Sequence, residues 1–207
     1  MLTGLEALTR LREGNERFTA DVRSVNSIAS YMRRGELIVP APIAIVLGCA
    51  DSRVPAEIVF DQGLGDLFVI RVAGNIVAPS QVGSVEFAAA RFGTRLVVVL
   101  GHSQCGAIAA TIEDIRTGGP HSSNNLRSIV DRIRPTVEGL FETDLAKDEA
   151  ALTAVAVRAN VRASANHLRH GSPLLEKLTQ DDGLIVVGAE YALDTGKVEF
   201  FDGVPKH

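Results

Sequence analysis

Leu96-Val-Val-Val-Leu-Gly101 runs straight into His102-Ser-Gln-Cys105, and the reading of that stretch decides the fold. Its first part is apolar without interruption and rich in β-branched residues. A strand with one face in water would alternate apolar and polar positions. This one is expected to be buried on both faces, as the strands of a parallel sheet are. Ile43-Ala-Ile-Val-Leu-Gly48 repeats the pattern ahead of Cys49-Ala-Asp-Ser-Arg53. Residues 42–48 and 95–101 are therefore read as strands, and Leu67-Phe-Val-Ile-Arg71 and Leu184-Ile-Val-Val-Gly188 share their character.

Helical patterns fill the intervals, at Gln81 to Phe92, Ala107 to Arg116, Leu126 to Val137 and Lys147 to His170. Strands alternating with helices indicate an α/β class, with a mostly parallel central β-sheet flanked by helices. Gly171-Ser-Pro173 separates two helices: glycine past one end, serine as the next cap, proline in the first turn. The Asp194-Thr-Gly196 turn predicts that the chain returns through Phe201 as an antiparallel C-terminal edge strand. At the other end Leu2, Leu5, Leu8, Leu11 and Phe18 recur at helical spacing among charged residues. No strand lies near that helix in the sequence. Residues 1–35 are therefore expected to form an N-terminal helical arm that packs on a partner subunit, with packing on its own domain as the alternative. No repeat or linker divides the chain, so residues 1–207 are read as a single domain.

A chain of 207 residues can bury a core without disulfide staples. Hydrophobic residues at 46% and charged ones at 22% are those of an ordinary globular protein. The net charge of -4 argues against a nucleic-acid partner, which would need a basic patch. No apolar run reaches the ~18 residues of a membrane span, and the segment from Met1 lacks the pattern of a secretory signal. Two cysteines in such a chain point to a reducing compartment, where thiols serve as ligands or nucleophiles. A cytoplasmic location without membrane association is expected.

Ligands of parallel α/β sheets gather beyond the carboxyl ends of the strands. Cys49 stands at that end of one strand, His102 and Cys105 at that end of another. If the two strands are neighbours, the three side chains meet, with Gly48 and Gly101 relieving crowding around them. Two thiolates and an imidazole form a catalytic type of zinc ligand set, leaving a fourth position for water. The same residues would also serve a metal-free enzyme whose cysteine nucleophile is activated by His102. Asp51 and Arg53 adjoin the first ligand. A carboxylate there can ligate the metal or accept a hydrogen bond from metal-bound water, and a bidentate guanidinium decides between the two.

These residues resemble a β-class carbonic anhydrase. The resemblance is carried by Cys49-Ala-Asp-Ser-Arg-Val-Pro-Ala-Glu57 and Gly101-His-Ser-Gln-Cys-Gly106. Glu13-Gly-Asn-Glu-Arg-Phe18, Gly63 to Arg71, Ala73-Gly-Asn75, Gly83-Ser-Val-Glu-Phe87 and Gly188 to Phe201 extend it over nearly the whole chain. It implies reversible hydration of carbon dioxide to bicarbonate and a proton through zinc-bound hydroxide. It also implies Zn2+ held by Cys49, His102 and Cys105, and a catalytic dyad of Asp51 and Arg53 that controls access to the metal. In a closed form Asp51 becomes the fourth ligand. Phe68, Phe87 and the backbone N–H of Gly106 are expected beside the substrate, in a homodimer or homotetramer with sites at the dimer interface. Zinc with two thiolates is formally neutral, so it should be a weak Lewis acid and the rate should rise on the alkaline side.

The chain departs from the family at two places. A glutamine that helps to hold the substrate in some members falls at Pro40. The tryptophan of a bicarbonate-regulated subtype falls at Val46, leaving only Arg71 and Tyr191 of that trio, so the unregulated subtype is expected. His121, His167, His170 and His207 are the candidates for a proton shuttle. A non-enzymatic relative, or one hydrolysing carbon disulfide, would share the motifs.

Overall fold

The structure, a computed structural model, describes residues 2–24, 40–118 and 123–205. The strands are β1 (Ala44–Gly48), β2 (Leu67–Arg71), β3 (Leu96–His102), β4 (Ile185–Tyr191) and β5 (Val198–Asp202). The helices, in chain order, are α1 (Gly4–Thr19), α2 (Ala56–Val59), α3 (Pro79–Arg91), α4 (Gly106–Thr117), α5 (Asn124–Val137), α6 (Glu149–His170) and α7 (Pro173–Asp181). The strands form one sheet in the order β2-β1-β3-β4-β5. The first four are parallel, and β5 returns antiparallel to β4 as the turn at Gly196 predicts. Because β1 and β3 are neighbours, with Gly48 level with Leu100, the two motif-bearing strand ends lie side by side.

Every residue of β1 and β3 is buried, because both faces of the sheet are covered. Ile45, Leu47, Val97 and Val99 pack against α3, α6 and α7. Val46, Val98 and Leu100 point the other way, where among the described residues α1 and the segment around Phe60 pack on them. For α1 this is the alternative expected of the arm, packing on its own domain. Ala7, Leu8 and Leu11 of α1 seat on the chain's own sheet, on the face opposite α3, α6 and α7. Residues 25–35 of the expected arm lie outside the described residues.

Polar contacts fix the seat of α1. Asn15 donates to the carbonyls of Val59 and Gly196 and accepts from the N–H of Val198 at 2.8 Å. A capping box of Thr3 and Glu6 closes its first turn. A Cβ at Gly14 would lie 1.9 Å from the Phe60 carbonyl oxygen. Gly14→Ala is therefore expected to cost about 1–3 kcal/mol, as overpacking does, and to lower the midpoint of chemical denaturation. A wild-type midpoint would show that α1 is not seated there.

A third layer lies over the carboxyl ends of the strands. There α4, α5 and the first half of α6 pack Ile108, Ile112, Ile133, Leu152 and Val157 around Cys49 and Cys105. The expected role of the strand-end glycines needs correction. A side chain at Gly48 would meet nothing closer than the Leu100 carbonyl at 3.9 Å, so the position has room. At Gly101 a Cβ would lie 2.5 Å from a methyl of Val161, so that glycine admits helix α6 rather than relieving crowding at the ligands. Among the described residues no helix is long and apolar enough to cross a membrane.

Candidate metal centre

The buried side chains of Cys49, His102 and Cys105 bring their ligand atoms within 4.8 Å of one another. Cys49 leaves β1, His102 is the last residue of β3, and Cys105 caps α4. Gln104, at φ 55°, makes the tight turn that returns Cys105 towards His102. The donor chemistry of this cluster fits zinc. His102 Nδ1 lies 2.8 Å from the Ser103 carbonyl, an acceptor only, so the hydrogen of the neutral ring sits on Nδ1. That leaves the Nε2 lone pair facing the two sulfurs, and Nε2 is buried with no hydrogen-bond partner. Such an atom is costly unless something coordinates it. Both cysteines are free thiols.

Neighbouring donors favour charge on the first sulfur. Hydrogen bonding from Cys105 pulls the Cys49 thiol well down against the cost of burial, with the Gly74 N–H adding to it. The same bond and burial push Cys105 up. Burial works against a protonated His102, but the Cys49 sulfur and the Ser103 carbonyl outweigh it and raise its pKa. Two sulfurs competing for one proton form a site that a divalent cation would relieve, since it accepts both as thiolates.

Asp51 and Arg53 stand at the mouth of the cluster. Arg53 Nε and Nη2 donate to the two carboxylate oxygens at 2.9 and 2.7 Å, and the Arg53 N–H adds a third bond at 2.9 Å. Those bonds hold the Asp51 carboxyl well below the usual carboxylate range. Arg53 also reaches the Gln104 carbonyl at 3.4 Å, tying the two motifs together. The nearer Asp51 oxygen lies 3.9 Å from His102 Nε2, facing the ligands without bonding to them.

The structure brings six of the sequence-predicted site residues together and leaves two apart. Gly106 opens α4 directly after the last ligand, with open space where a side chain would be. Phe68 pairs with Ile45, four residues before Cys49, which puts it roughly 13 Å down the sheet from the ligands. Phe87 packs on Phe68 and Phe92, and the residue is 54% exposed. Neither phenylalanine lines the cluster of its own chain. Of the shuttle candidates, His167 lies ten residues along α6 from Val157, roughly 15 Å away, in a cavity of about 580 Å³ lined also by Pro79, Glu86 and Ser164. His170 ends the same helix, and His121 and His207 lie outside the described residues. Arg71 and Tyr191 stand three strands apart, roughly 14 Å.

Sequence reasoning missed two contributors. The Gly74 N–H donates to the Cys49 sulfur at 3.4 Å, from a turn signalled only by Ala73-Gly-Asn75. Arg71 bonds the backbone around the first ligand, and its signal was a charge ending an otherwise apolar strand.

The comparisons with known proteins agree with this geometry. A family model described as carbonic anhydrase matches residues 44–198, spanning both motifs. Carbonic anhydrase 2 of Mycobacterium tuberculosis is 36% identical over 200 residues, covering 94% of this chain and 91% of its own. A carbonic anhydrase of Pseudomonas aeruginosa is 32% identical over 181 residues, covering 80% of this chain and 76% of its own. Among solved structures, a tetrameric β-carbonic anhydrase of Sordaria macrospora superposes with a TM-score of 0.74 at 24% identity, covering 84% of this chain and 86% of that one. A β-carbonic anhydrase of Aspergillus fumigatus gives 0.74 at 23% identity, covering 98% and 92%. On the family match across both motifs and 36% identity over nearly its whole length, the chain belongs to the β-carbonic anhydrase family.

Proposed function

We propose that this chain catalyses the zinc-dependent, reversible hydration of carbon dioxide, with Cys49, His102 and Cys105 holding the ion and Asp51–Arg53 governing access to it. The observation that carries the reading is the unpartnered His102 Nε2, buried and aimed at two free thiols. Zinc, when bound, supplies a Lewis acid that makes hydroxide available from water near neutral pH. Asp51, oriented by the two bonds from Arg53, would accept a hydrogen bond from the attacking oxygen and aim its lone pair at the substrate carbon. The open space at Gly106 supports a place for a small linear substrate beside that oxygen, within reach of a backbone N–H. Val157, Ile108 and Ile112 keep the inner wall of the ligand cluster dry.

Substrate pocket and assembly belong to the same reading. Phe87 is a large exposed aromatic next to Phe68 on the edge-strand side, too far from the ligands of its own chain to serve them. A second copy would bring such a patch to the cluster, which supports a homodimer or a homotetramer. Two free thiols at ligand positions support work in a reducing compartment such as the cytoplasm.

Metal analysis and a stopped-flow hydration assay test the proposal together. The purified protein should carry about one zinc per chain. Its hydration rate should climb from about pH 6.5 to about pH 9, because a formally neutral zinc–dithiolate site acidifies water weakly. Full activity without metal, or a flat profile, would refute it.

A further inference from the structure

Arg71 ends edge strand β2, yet its side chain turns back onto the loop that carries the first ligand. Its Nε donates to the Cys49 carbonyl at 3.0 Å and its Nη2 to the Asp51 carbonyl. The two acceptors belong to the peptide groups on either side of the Ala50–Asp51 unit. With both carbonyls pinned, the backbone torsions of Ala50 and Asp51 are fixed, and so is the direction in which the Asp51 side chain leaves the chain. The backbone adds to the hold, because Ala50 N–H donates to the Val72 carbonyl at 3.2 Å and Val72 N–H to that of Gly48 at 3.1 Å. Hydrogen bonds from a guanidinium are the stronger kind. The carboxylate under control lies only 3.9 Å from His102 Nε2, so a modest turn of this loop decides where it points.

We propose that Arg71 is a positioning residue: by clamping the Cys49 and Asp51 carbonyls it keeps the Asp51 carboxylate on Arg53 and off the cation. The proposal rests on the reading of Asp51 as a competitor for the metal position. Arg53 holds the carboxylate from outside, and Arg71 holds the backbone beneath it. Loss of either lets Asp51 swing inward, but Arg71 does so without touching the carboxylate.

The test uses zinc-loaded and Co2+-substituted protein with thiocyanate as the probe, because a carboxylate at the fourth position blocks an incoming anion. Arg71→Gln should keep its zinc and its melting temperature. Thiocyanate affinity near pH 7.5, read in the cobalt visible spectrum, should fall about tenfold, and the midpoint of the kcat profile should move about one pH unit alkaline. Arg71→Lys, which retains one charged donor, should fall between Arg71→Gln and wild type. If Arg71→Gln sheds its zinc, the lysine variant decides by the same readouts. Wild-type thiocyanate affinity and midpoint in a zinc-loaded Arg71 variant overturn the clamp. If Arg53→Ala also behaves as wild type, the failure lies instead in the reading of Asp51 as a competitor.

Discussion

His102→Ala is expected to yield a folded protein that holds little zinc and has lost nearly all hydration activity. The side chain is buried at the end of β3, and its Nδ1 bond to Ser103 commits Nε2 to the two sulfurs. Alanine removes one of three ligands and leaves a cysteine pair without the nitrogen that completes the set. The scale follows from zinc activation of water, for which the three-histidine carbonic anhydrases are the reference case: the loss should exceed about 10³-fold. The sheet should survive, because Val97, Val99 and Leu100 carry the packing of β3. Metal content, circular dichroism and stopped-flow hydration of one preparation check all three parts. Wild-type turnover with wild-type zinc would dismiss the ligand assignment.

Arg53→Ala should produce the second-largest effect, and it should depend on pH. Arg53 depresses the folded-state pKa of Asp51. A depressed carboxyl contributes stability that is present above its unfolded value, about 4, and is lost as pH falls through the folded value. Asp51 is thus a carboxylate throughout the neutral range, with or without its partner. On the proposed reading, removing Arg53 should not neutralise Asp51 but should free it to take the fourth position on a bound metal. Activity near pH 7 should drop about 10–100-fold, the range for removing a group that orients a metal site, and recover in part near pH 9, where hydroxide competes better. Stability should change little, since the Arg53 side chain is 50% exposed and solvent-screened pairs contribute little. A profile parallel to wild type, in a crystal structure where Asp51 is turned away from bound water, would contradict this.

The sheet was legible because burial on both faces leaves an unmistakable pattern. Residues 42–48 and 95–101 predicted strands that form at Ala44–Gly48 and Leu96–His102, and the antiparallel return to Phe201 follows the Asp-Thr-Gly turn. Ser172 caps α7 with Pro173 behind it, as the local spacing requires. The convergence of Cys49 with His102 and Cys105 followed from strand ends on the condition that the two strands pair, which β1 and β3 do. Placement across long separations was not legible. Nothing in Leu2 to Phe18 says which apolar surface that helix will cover; the answer depends on where α3, α6 and α7 go. Gly101 looked like a site residue, yet its need arises from Val161, sixty residues later. Arg71 and Gly74 act through backbone carbonyls and an N–H, which no pattern of side-chain types records. Phe68 and Phe87 are distant from their own ligands, so a role for them requires a second molecule.

The neighbouring placement of β1 and β3 has a kinetic consequence. Cys49 is 53 positions from His102, with β2 and α3 threaded between them, so no early local intermediate can chelate with all three donors. His102 and Cys105 alone offer a weak two-point grip. Zinc should therefore arrive after the central strands have paired and act as a latch on the finished topology, slowing unfolding far more than it speeds collapse.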